Sequence, residues 1–469
     1  MTVFNRVISF WRLFKQAIRG DQQDYTALSI DRAIFLLSIP MILEMIMESL
    51  FAVVDVYWVS QLHDNDATAT IGLTESMLTL VYSVAIGLSM GATAMVARRV
   101  GEKDIPAAEI AGAQAIYIGI GLSVLVSAAG LFYSDSLLRV MGASEALIAN
   151  NAGYTRWMLG GNITIMMLFL INAIFRGAGD ASLAMRSLWL ANILNIILGP
   201  LFIFGIDGIV PSYGVEGAAI ATTIGRGTGV LYQVYHLFYG KGLIKLHGLN
   251  MPVKWDIIGR LLKVSAGGTG QFLIASASWI FLVRIISTFG SAAVAGYTIA
   301  IRLIIFAILP AWGMANASAT LVGQNLGAGF PDRAERSVWR AAFLNMIFLG
   351  TVTVVFLVFA QSILGFFTTD QAVLSNAVRC LQIVSMGYVF YAYGMVISQS
   401  FNGAGDTRTP TIINLFGFWM FQIPMAYALA VSWGIGTNGV YAAISIAESA
   451  IAIAGILIFR QGKWKTVSI

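Results

Sequence analysis

Long apolar runs separated by short polar breaks extend over almost the whole chain. A helix needs about 20 consecutive apolar residues to cross the hydrocarbon core of a bilayer, and the runs reach or approach that length. The alternating polarity of transmembrane β-strands is absent from the sequence. The pattern predicts an all-α polytopic membrane protein with twelve transmembrane helices, near residues 33–60, 68–97, 110–133, 150–177, 182–205, 215–239, 259–288, 293–323, 336–364, 373–401, 409–432 and 437–460.

The composition agrees with a membrane protein and argues against several functions. Of the 469 residues, 58% are hydrophobic and 11% are charged, whereas soluble domains average about 25% charged residues. The single cysteine, Cys380, excludes an intrachain disulfide and argues against a cysteine-rich metal site. The Walker A signature is absent, so we expect no ATP hydrolysis and no enzyme activity.

Basic residues lie mostly on one side of the predicted spans. That side carries Arg6, Arg12, Lys15, Arg19, Arg32, Arg98, Arg99, Lys103, Arg176, Arg186, Lys241, Lys245, Lys254, Arg260, Lys263, Arg333, Arg336, Arg340, Arg408, Arg460, Lys463 and Lys465. The opposite loops carry only Arg139. Because positive loops stay in the cytoplasm, the split predicts two cytoplasmic termini and an even number of spans. It also explains the net charge of +5 without a nucleic-acid partner.

The first residues read MTVFNRVISFWRLFKQAIRG and combine basic side chains with apolar ones at helical spacing. This pattern is typical of a helix that lies on the inner membrane surface. The segment lacks a continuous apolar core and a small-residue cleavage site, so a signal peptide is not expected. Residues 1–30 therefore form a predicted cytoplasmic amphipathic segment.

The two halves of the chain repeat each other. FRGAGD at 175–180 matches FNGAGD at 401–406 with an offset of 226 residues, and 87–109 matches 313–335 at the same offset. An offset of six spans preserves sidedness, so the repeats are parallel, and transporters built from such repeats bind substrate between the halves. The predicted units are an N-lobe, a cytoplasmic linker, a C-lobe and a cytoplasmic tail, at residues 31–240, 241–258, 259–462 and 463–469.

The first span carries an acidic face. Glu44, Glu48, Phe51 and Asp55 are spaced by four, three and four residues, which places them on one side of a helix. Carboxylates in a span face the bundle interior or a water-filled cavity, and burial allows them to take up protons reversibly. Asp55 is therefore predicted to be functional. For Glu44, a structural role satisfied by polar neighbours is an equal alternative.

Pro40 precedes this face and has two interpretations. Within one continuous span it could act as a hinge, because proline removes a backbone hydrogen bond and can kink a helix. Alternatively, the helix begins at Ile39–Pro40, where proline is well tolerated.

Further polar residues lie within the predicted spans of both halves. The N-terminal half adds Glu75, Asn172, Asn195 and Thr222, which suggests a cation or proton site there. In the second half, the position equivalent to Asp55 is Leu282. The C-terminal half is thus expected to shape a substrate cleft. Its candidate lining residues, from both halves, are Phe51, Asn172, Gln271, Arg284 and Gln399.

The segments VDVYWVSQL (54–62) and TLVGQNLGAG (320–329), together with the FRGAGD and FNGAGD repeats, resemble the multidrug and toxic compound extrusion (MATE) family over essentially the whole chain. The resemblance implies twelve helices in two six-helix lobes around a central cleft. It implies alternating-access export of organic cations or other amphipathic compounds in exchange for H⁺ or Na⁺, with no other cofactor. It further implies a multi-pass protein of a bacterial inner membrane, in contact with lipid; nothing in the sequence demands an oligomer, so we expect a monomer.

Family positions map onto individual residues of this chain. Asp55 falls on the coupling aspartate of the first helix, and Pro40 falls on the proline proposed to bend it. Asn195 and Thr222 match polar residues of the N-lobe cation site, so the resemblance implies a candidate Na⁺ site at Asp55, Asn195 and Thr222. The sequence departs from the family at Gly199, where the N-x-x-x-D motif has aspartate. By helical spacing, Glu48 could replace that carboxylate.

Two other functions are compatible with the sequence. A flippase for lipid-linked precursors would need a cationic cavity, which would be indicated if three or more of the in-span arginines pointed into one cleft. Those arginines are Arg156, Arg226, Arg284, Arg302 and Arg379. A non-transporting scaffold would have a sealed interior without polar cavities.

Overall fold

The computed structural model describes residues 3–246 and 252–469, with the side chains of 3–9 and 65 left out of the description. The first two residues of the predicted N-terminal segment lie outside the described residues. So do residues 247–251 of the predicted linker. Within the described ranges the chain is helical and contains no strand, apart from one isolated bridge between Ile206 and Val210. The all-α prediction is confirmed.

The first half of the chain forms a surface helix and seven further helices. They are α1 (Val3–Arg19), α2 (Ile30–Ser60), α3 (Asn65–Gly101), α4 (Ile105–Val140), α5 (Glu145–Gly160), α6 (Asn162–Ala178), α7 (Ala181–Phe204) and α8 (Val215–Tyr239).

The second half repeats this order. Its helices are α9 (Trp255–Ser287), α10 (Ser291–Gly327), α11 (Pro331–Leu364), α12 (Gln371–Ser385), α13 (Tyr388–Ala404), α14 (Arg408–Asn414), α15 (Ile423–Tyr427) and α16 (Thr437–Arg460). Two π-helical stretches, Leu415–Gln422 and Ala428–Ser432, extend α14 and α15 into one long element, and a 3₁₀ turn, Lys463–Thr466, ends the fold.

Ten described helical segments, with α5–α6 counted as one, are long and apolar enough to cross a membrane. The α12–α13 pair, bent by 58°, adds an eleventh if it is one span. The remaining predicted span corresponds to α8, which contains Glu216 and Arg226 and does not reach the same apolarity. The six-plus-six count therefore stays a prediction, although the helices follow its order.

The internal repeat is visible in the way the helices break. The fourth predicted span breaks at Gly161 and the tenth at Met386–Gly387, which are equivalent positions in the two halves. Gly179 and Gly405 end α6 and α13 with φ of 90° and 89°. This left-handed conformation favours glycine and explains the GAGD motifs as turns.

The same glycine in each repeat brings two helices into close contact. A Cβ at Gly177 of α6 would lie 2.9 Å from the carbonyl oxygen of Thr93 in α3. A Cβ at Gly403 of α13 would lie 2.6 Å from the Cα of Ala319 in α10. The second contact lies 226 residues after the first in both of its members, so the two lobes share this backbone contact as well as the sequence motif.

The two lobes meet at the end of the bundle that holds the ends of α3 and α10. A Cβ at Gly101 would lie 2.9 Å from the Cα of Gln324, and a Cβ at Gly327 would lie 3.0 Å from the carbonyl carbon of Arg98. At the 226-residue offset Gly101 corresponds to Gly327 and Arg98 corresponds to Gln324, so each of these contacts is the counterpart of the other. The lobes are therefore related by an approximate twofold axis that passes between α3 and α10.

Segments from both ends of the chain cross this junction, which we call the terminal end. The hydroxyl of Tyr25 donates to the carbonyl of Gly179 at 3.0 Å, and Arg333 donates to the carbonyl of Tyr25 at 3.0 Å. Near the C-terminus, Arg98 donates to the carbonyl of Val467 at 2.9 Å. The N-terminal and C-terminal segments therefore lie at the same end of the bundle, which also carries the predicted cytoplasmic arginines and lysines.

Replacement of Gly403 by alanine is expected to destabilise the C-lobe, because the added methyl group meets the backbone of Ala319. Overpacking of this kind costs about 1–3 kcal/mol. The measurement is thermal unfolding of the detergent-solubilised protein. Gly350→Ala in α11 is the matched control, because no atom lies within 4 Å of the position that its methyl group would take. Equal unfolding temperatures for the two variants would contradict the packing interpretation.

Candidate functional site

The acidic face of α2 points into the N-lobe, and Glu48 and Asp55 are more accessible than the buried Glu44. Glu44 is 2% exposed, and the side chain of Glu48 is 22% exposed. Asp55 is half-buried, and Glu75 on the neighbouring α3 is exposed. Because a carboxylate within a span is expected to face water or the bundle interior, we infer that a cleft reaches these carboxylates from the end opposite the terminal end.

Pro40 lies well inside α2, which is continuous from Ile30 to Ser60. The alternative that the helix begins at Ile39–Pro40 is therefore wrong. Pro40 is buried at the level where α2 packs on α10, and a Cβ at Gly313 of α10 would lie 2.6 Å from the carbonyl oxygen of Met41. The role of Pro40 as a hinge stays a prediction.

Glu44 forms a buried connection between three helices. Its Oε1 accepts hydrogen bonds from Arg176 Nη1 at 2.9 Å and from Asn172 Nδ2 at 3.1 Å, both on α6. The Oδ1 of Asn172 in turn accepts from Gln233 of α8 at 2.7 Å. Glu44 thus has the polar neighbours that a structural role requires. Asn172, a candidate for the substrate cleft, is buried within this network, and its contact with substrate stays a prediction.

Glu48 lies one turn further along α2 and faces a buried arginine. Its Oε1 is 3.9 Å from Nη2 of Arg226 on α8, and its Oε2 accepts a hydrogen bond from Asn192 of α7 at 2.9 Å. Arg226 Nη1 donates to the hydroxyl of Tyr82 on α3 at 2.9 Å. The guanidinium carbon also lies 5.7 Å from the ring centroid of Phe51 and 5.8 Å from that of Tyr82.

Asp55 and Glu75 complete this group. Arg226 interacts electrostatically with both carboxylates, and the two carboxylates repel each other. Asp55 accepts no hydrogen bond from any side chain in the described ranges. We call Glu48, Asp55, Glu75, Tyr82 and Arg226 the N-lobe charge cluster. It contains three acids and one base, drawn from α2, α3 and α8.

The other two candidate ion-site residues pair with each other. Asn195 Nδ2 of α7 donates to Oγ1 of Thr222 on α8 at 2.7 Å, and both side chains are buried. A Cβ at Gly199, one turn beyond Asn195, would lie 3.7 Å from the ring of Trp58 on α2. An aspartate at 199 would therefore face α2, and Gly199 leaves that face of α7 without a carboxylate.

Arg226 is indicated by the sequence only as one of the arginines that could serve a flippase. The signal for its role in this site is its position one helical turn after Thr222, on the same face of α8. The sequence does not show that the side chain of Arg226 reaches Glu48 of α2 and Tyr82 of α3. The remaining in-span arginines do not join it: Arg156 pairs with Asp135 at 3.2 Å, and Arg284, Arg302 and Arg379 are exposed.

The C-lobe candidates form a separate buried group. Gln271 Nε2 of α9 donates to Oδ1 of Asn402 at 2.9 Å and to the carbonyl of Thr407 at 3.0 Å. Asn402 Nδ2 donates to Oε1 of Gln399 at 3.1 Å. Gln271 and Gln399 thus link α9 to α13, and Arg284 lies apart from them near the end of α9. Their contact with substrate stays a prediction.

The described residues contain no group of three or more His, Cys, Asp or Glu side chains arranged to hold a metal ion. The acids of the N-lobe charge cluster are instead spread around the guanidinium of Arg226. The candidate Na⁺ site at Asp55, Asn195 and Thr222 stays a prediction.

Replacement of Arg176 by methionine is expected to destabilise the protein strongly, because it leaves the carboxylate of Glu44 buried and unpaired. Breaking a buried ion pair on one side costs about 3–5 kcal/mol. Thermal unfolding in detergent measures the loss, and the double variant R176M/E44Q should regain much of it. Arg408→Met, at an exposed position on α14, is the control. An R176M variant as stable as R408M would contradict the structural role of Glu44.

Comparison with known proteins identifies the family. The MatE family model matches residues 40–201 and 269–428, one segment in each half of the chain. The probable multidrug resistance protein NorM of Thermotoga maritima is 26% identical over 93% of this chain and 93% of its own length. The multidrug export protein MepA of Staphylococcus aureus is 24% identical over 91% of this chain and 93% of its own length.

Solved structures agree over the whole fold. A crystal structure of a MATE in complex with MaL6 has 28% sequence identity and a TM-score of 0.87, covering 95% of this chain and 97% of that chain. A MOP superfamily transporter from Pyrococcus furiosus, described as having a binding pocket of reversed polarity that suggests a different function, has 28% identity and a TM-score of 0.86 over the same shares. The two-lobed architecture is therefore confirmed, and the chain belongs to the MatE family of membrane transporters.

Proposed function

We propose that the protein is a secondary antiporter that exports amphipathic organic cations and related drug-like compounds in exchange for H⁺ or Na⁺. The observation that carries this proposal is the N-lobe charge cluster, in which three carboxylates and one guanidinium line a cleft inside the membrane. Such groups are costly in hydrocarbon and mark ion pathways and proton relays. The names of the curated relatives, which include multidrug export proteins, support the substrate class.

The proposed coupling acid is Asp55, with Glu48 as its neighbour on the same face of α2. Both acids are half-buried, but Asp55 lacks a hydrogen-bonding side chain among the described residues, so it is the freer of the two to exchange an ion. Glu48 is held by Asn192 and lies beside Arg226. An ion that neutralises Asp55 changes the balance of charge around Arg226 and hence the attraction between α2 and α8.

The contacts between the lobes support alternating access. The lobes contact each other at the terminal end, while the carboxylates are accessible from the opposite end. If the basic loops are cytoplasmic, as the charge distribution predicts, this state is open to the outside. A change in the attraction between α2 and α8 could then be transmitted to the terminal end through α2, whose inner half packs on α10.

The flippase alternative is not favoured. It requires at least three in-span arginines in one cleft, and in the described part of the chain only Arg226 belongs to the N-lobe charge cluster.

The proposed antiporter would work in a bacterial inner membrane as a multi-pass monomer. The distribution of basic residues supports cytoplasmic positions for both of its termini.

Asp55→Asn is expected to abolish gradient-driven export while leaving the protein folded, because an amide cannot exchange a proton or hold a cation as a carboxylate does. The measurement is efflux of ethidium, an amphipathic cation, from proteoliposomes under combined H⁺ and Na⁺ gradients. Asp66→Asn, at an exposed acid near the start of α3, is the matched control. Undiminished export by D55N would contradict the assignment of the coupling acid.

Glu48→Gln is expected to reduce the same export only in part, because Asp55 and Glu75 keep their carboxylates near Arg226. A partial loss places Glu48 in the coupling site as a neighbour of the exchanging acid. Export equal to that of the wild-type protein would show that Glu48 has a structural role only.

A further inference from the structure

We propose that the guanidinium of Arg226 acts as a permanent positive charge in the N-lobe charge cluster. This charge excludes Na⁺ from the cluster, so that the coupling ion is the proton. This inference rests on the proposed antiport function and specifies its ion. The pattern of acids in the sequence does not by itself place Arg226 in the coupling site.

The positive charge of Arg226 lies where a bound cation would be expected. Its side chain is 5% exposed and lies at the inner end of the cleft, between Glu48 on α2 and Tyr82 on α3. A guanidinium keeps its proton in proteins, so this positive charge is permanent. Arg226 therefore places a positive charge beside Glu48, one helical turn from Thr222, in every protonation state of its neighbours.

The groups around Arg226 suit an organic cation better than an inorganic one. A hard cation needs several oxygen atoms in place of its hydration shell. Here the rings of Phe51 and Tyr82 take up two sides of the guanidinium, which suits a delocalised cation. The neighbouring Thr222 oxygen already accepts a hydrogen bond from Asn195. The oxygen of Thr222 and one oxygen of Glu48 are thus already engaged, which leaves mainly the carboxylates of Asp55 and Glu75 for an inorganic cation.

Electrostatic repulsion by Arg226 also opposes the binding of Na⁺. Like charges repel in a site of low effective dielectric, so a Na⁺ held by the carboxylates around Arg226 would bind more weakly than it would without the guanidinium. The carboxylates of Asp55 and Glu75 offset part of this repulsion for Na⁺. A proton avoids it, because it binds covalently to one carboxylate oxygen and removes a negative charge without placing a separate cation beside Arg226.

The titratable and charged groups that face this site come from every helix packed around it. They are Glu48 and Asp55 of α2, Glu75 and Tyr82 of α3, Tyr154 of α5 and Arg226 of α8, with the Glu44–Arg176 pair one turn further toward the terminal end. α7 contributes the neutral amides of Asn192 and Asn195. The cluster holds one fixed positive charge and three carboxylates, so uptake of a proton by Asp55 or Glu75 brings it closer to neutrality.

The decisive experiment imposes each gradient alone on proteoliposomes that contain the full-length protein and ethidium. We expect the pH gradient to drive export and an equal Na⁺ gradient at uniform pH to drive no more than the background leak. Export driven by the Na⁺ gradient would overturn this inference and leave the antiport proposal standing. Export driven by neither gradient would overturn both.

The role of Arg226 itself is tested by thermal unfolding in NaCl against choline chloride at equal ionic strength. The wild-type protein should show no stabilisation specific to Na⁺. Arg226→Met, which removes the charge, should acquire such stabilisation, because binding to the folded state raises the unfolding temperature. Arg226→Lys, which keeps a charge, should resemble the wild-type protein, and so should the control Arg156→Met.

If R226M does not fold because Glu48 is left unpaired, the double variant R226M/E48Q removes both partners and serves in its place. Asp55 and Glu75 remain available to bind Na⁺ in that variant. Stabilisation by Na⁺ in R226M or in the double variant supports the inference. A folded variant without the arginine that gains no response to Na⁺ would show that Arg226 is not what excludes the ion.

Discussion

The compensation of one buried positive charge determines how the N-lobe is built. Arg226 is fully charged, almost inaccessible and surrounded by membrane-spanning helices, so removing it from water is costly unless acids and hydrogen-bond acceptors surround it. Glu48, Tyr82, Asp55 and Glu75 supply that compensation from two other helices. The side-chain contacts that join α8 to α2 and α3 therefore depend on the charge state of these groups, which links ion binding to helix position.

Comparison of the two lobes shows which features belong to the scaffold, because the second lobe repeats the backbone of the first but lacks its charged residues. At an offset of 227 residues, the position equivalent to Asp55 is Leu282. In the last spans, GVEGAAIAT at 214–222 matches GTNGVYAAI at 436–444 with an offset of 222, so the position equivalent to Arg226 is Glu448. Glu448 forms no salt bridge among the residues that the structure describes. The glycine contacts of α6 and α13, by contrast, are preserved in both lobes. The repeat thus explains the scaffold, and the differences between the lobes favour the N-lobe as the site of ion coupling.

Much of the architecture can be predicted from the sequence, because apolar length and glycine chemistry are local properties. The helix breaks at Gly161 and Gly387 cannot be predicted in this way, because a short bend leaves the apolar run in the sequence uninterrupted. Within the site, helical spacing correctly places Glu44, Glu48 and Asp55 on one inward face. Spacing alone cannot distinguish the buried ion pair of Glu44 from the accessible Asp55, or show that Arg226 meets this face. Those distinctions depend on contacts between helices far apart in the sequence.

The central claim is that the acids of the N-lobe charge cluster exchange protons in step with the binding of substrate. It is tested most directly by calorimetry of ethidium binding to the detergent-solubilised protein in buffers of different ionisation enthalpy. If the claim is correct, binding near neutral pH releases protons, and the release disappears in the Asp55→Asn variant. Binding with no exchange of protons at any pH across the neutral range would contradict it.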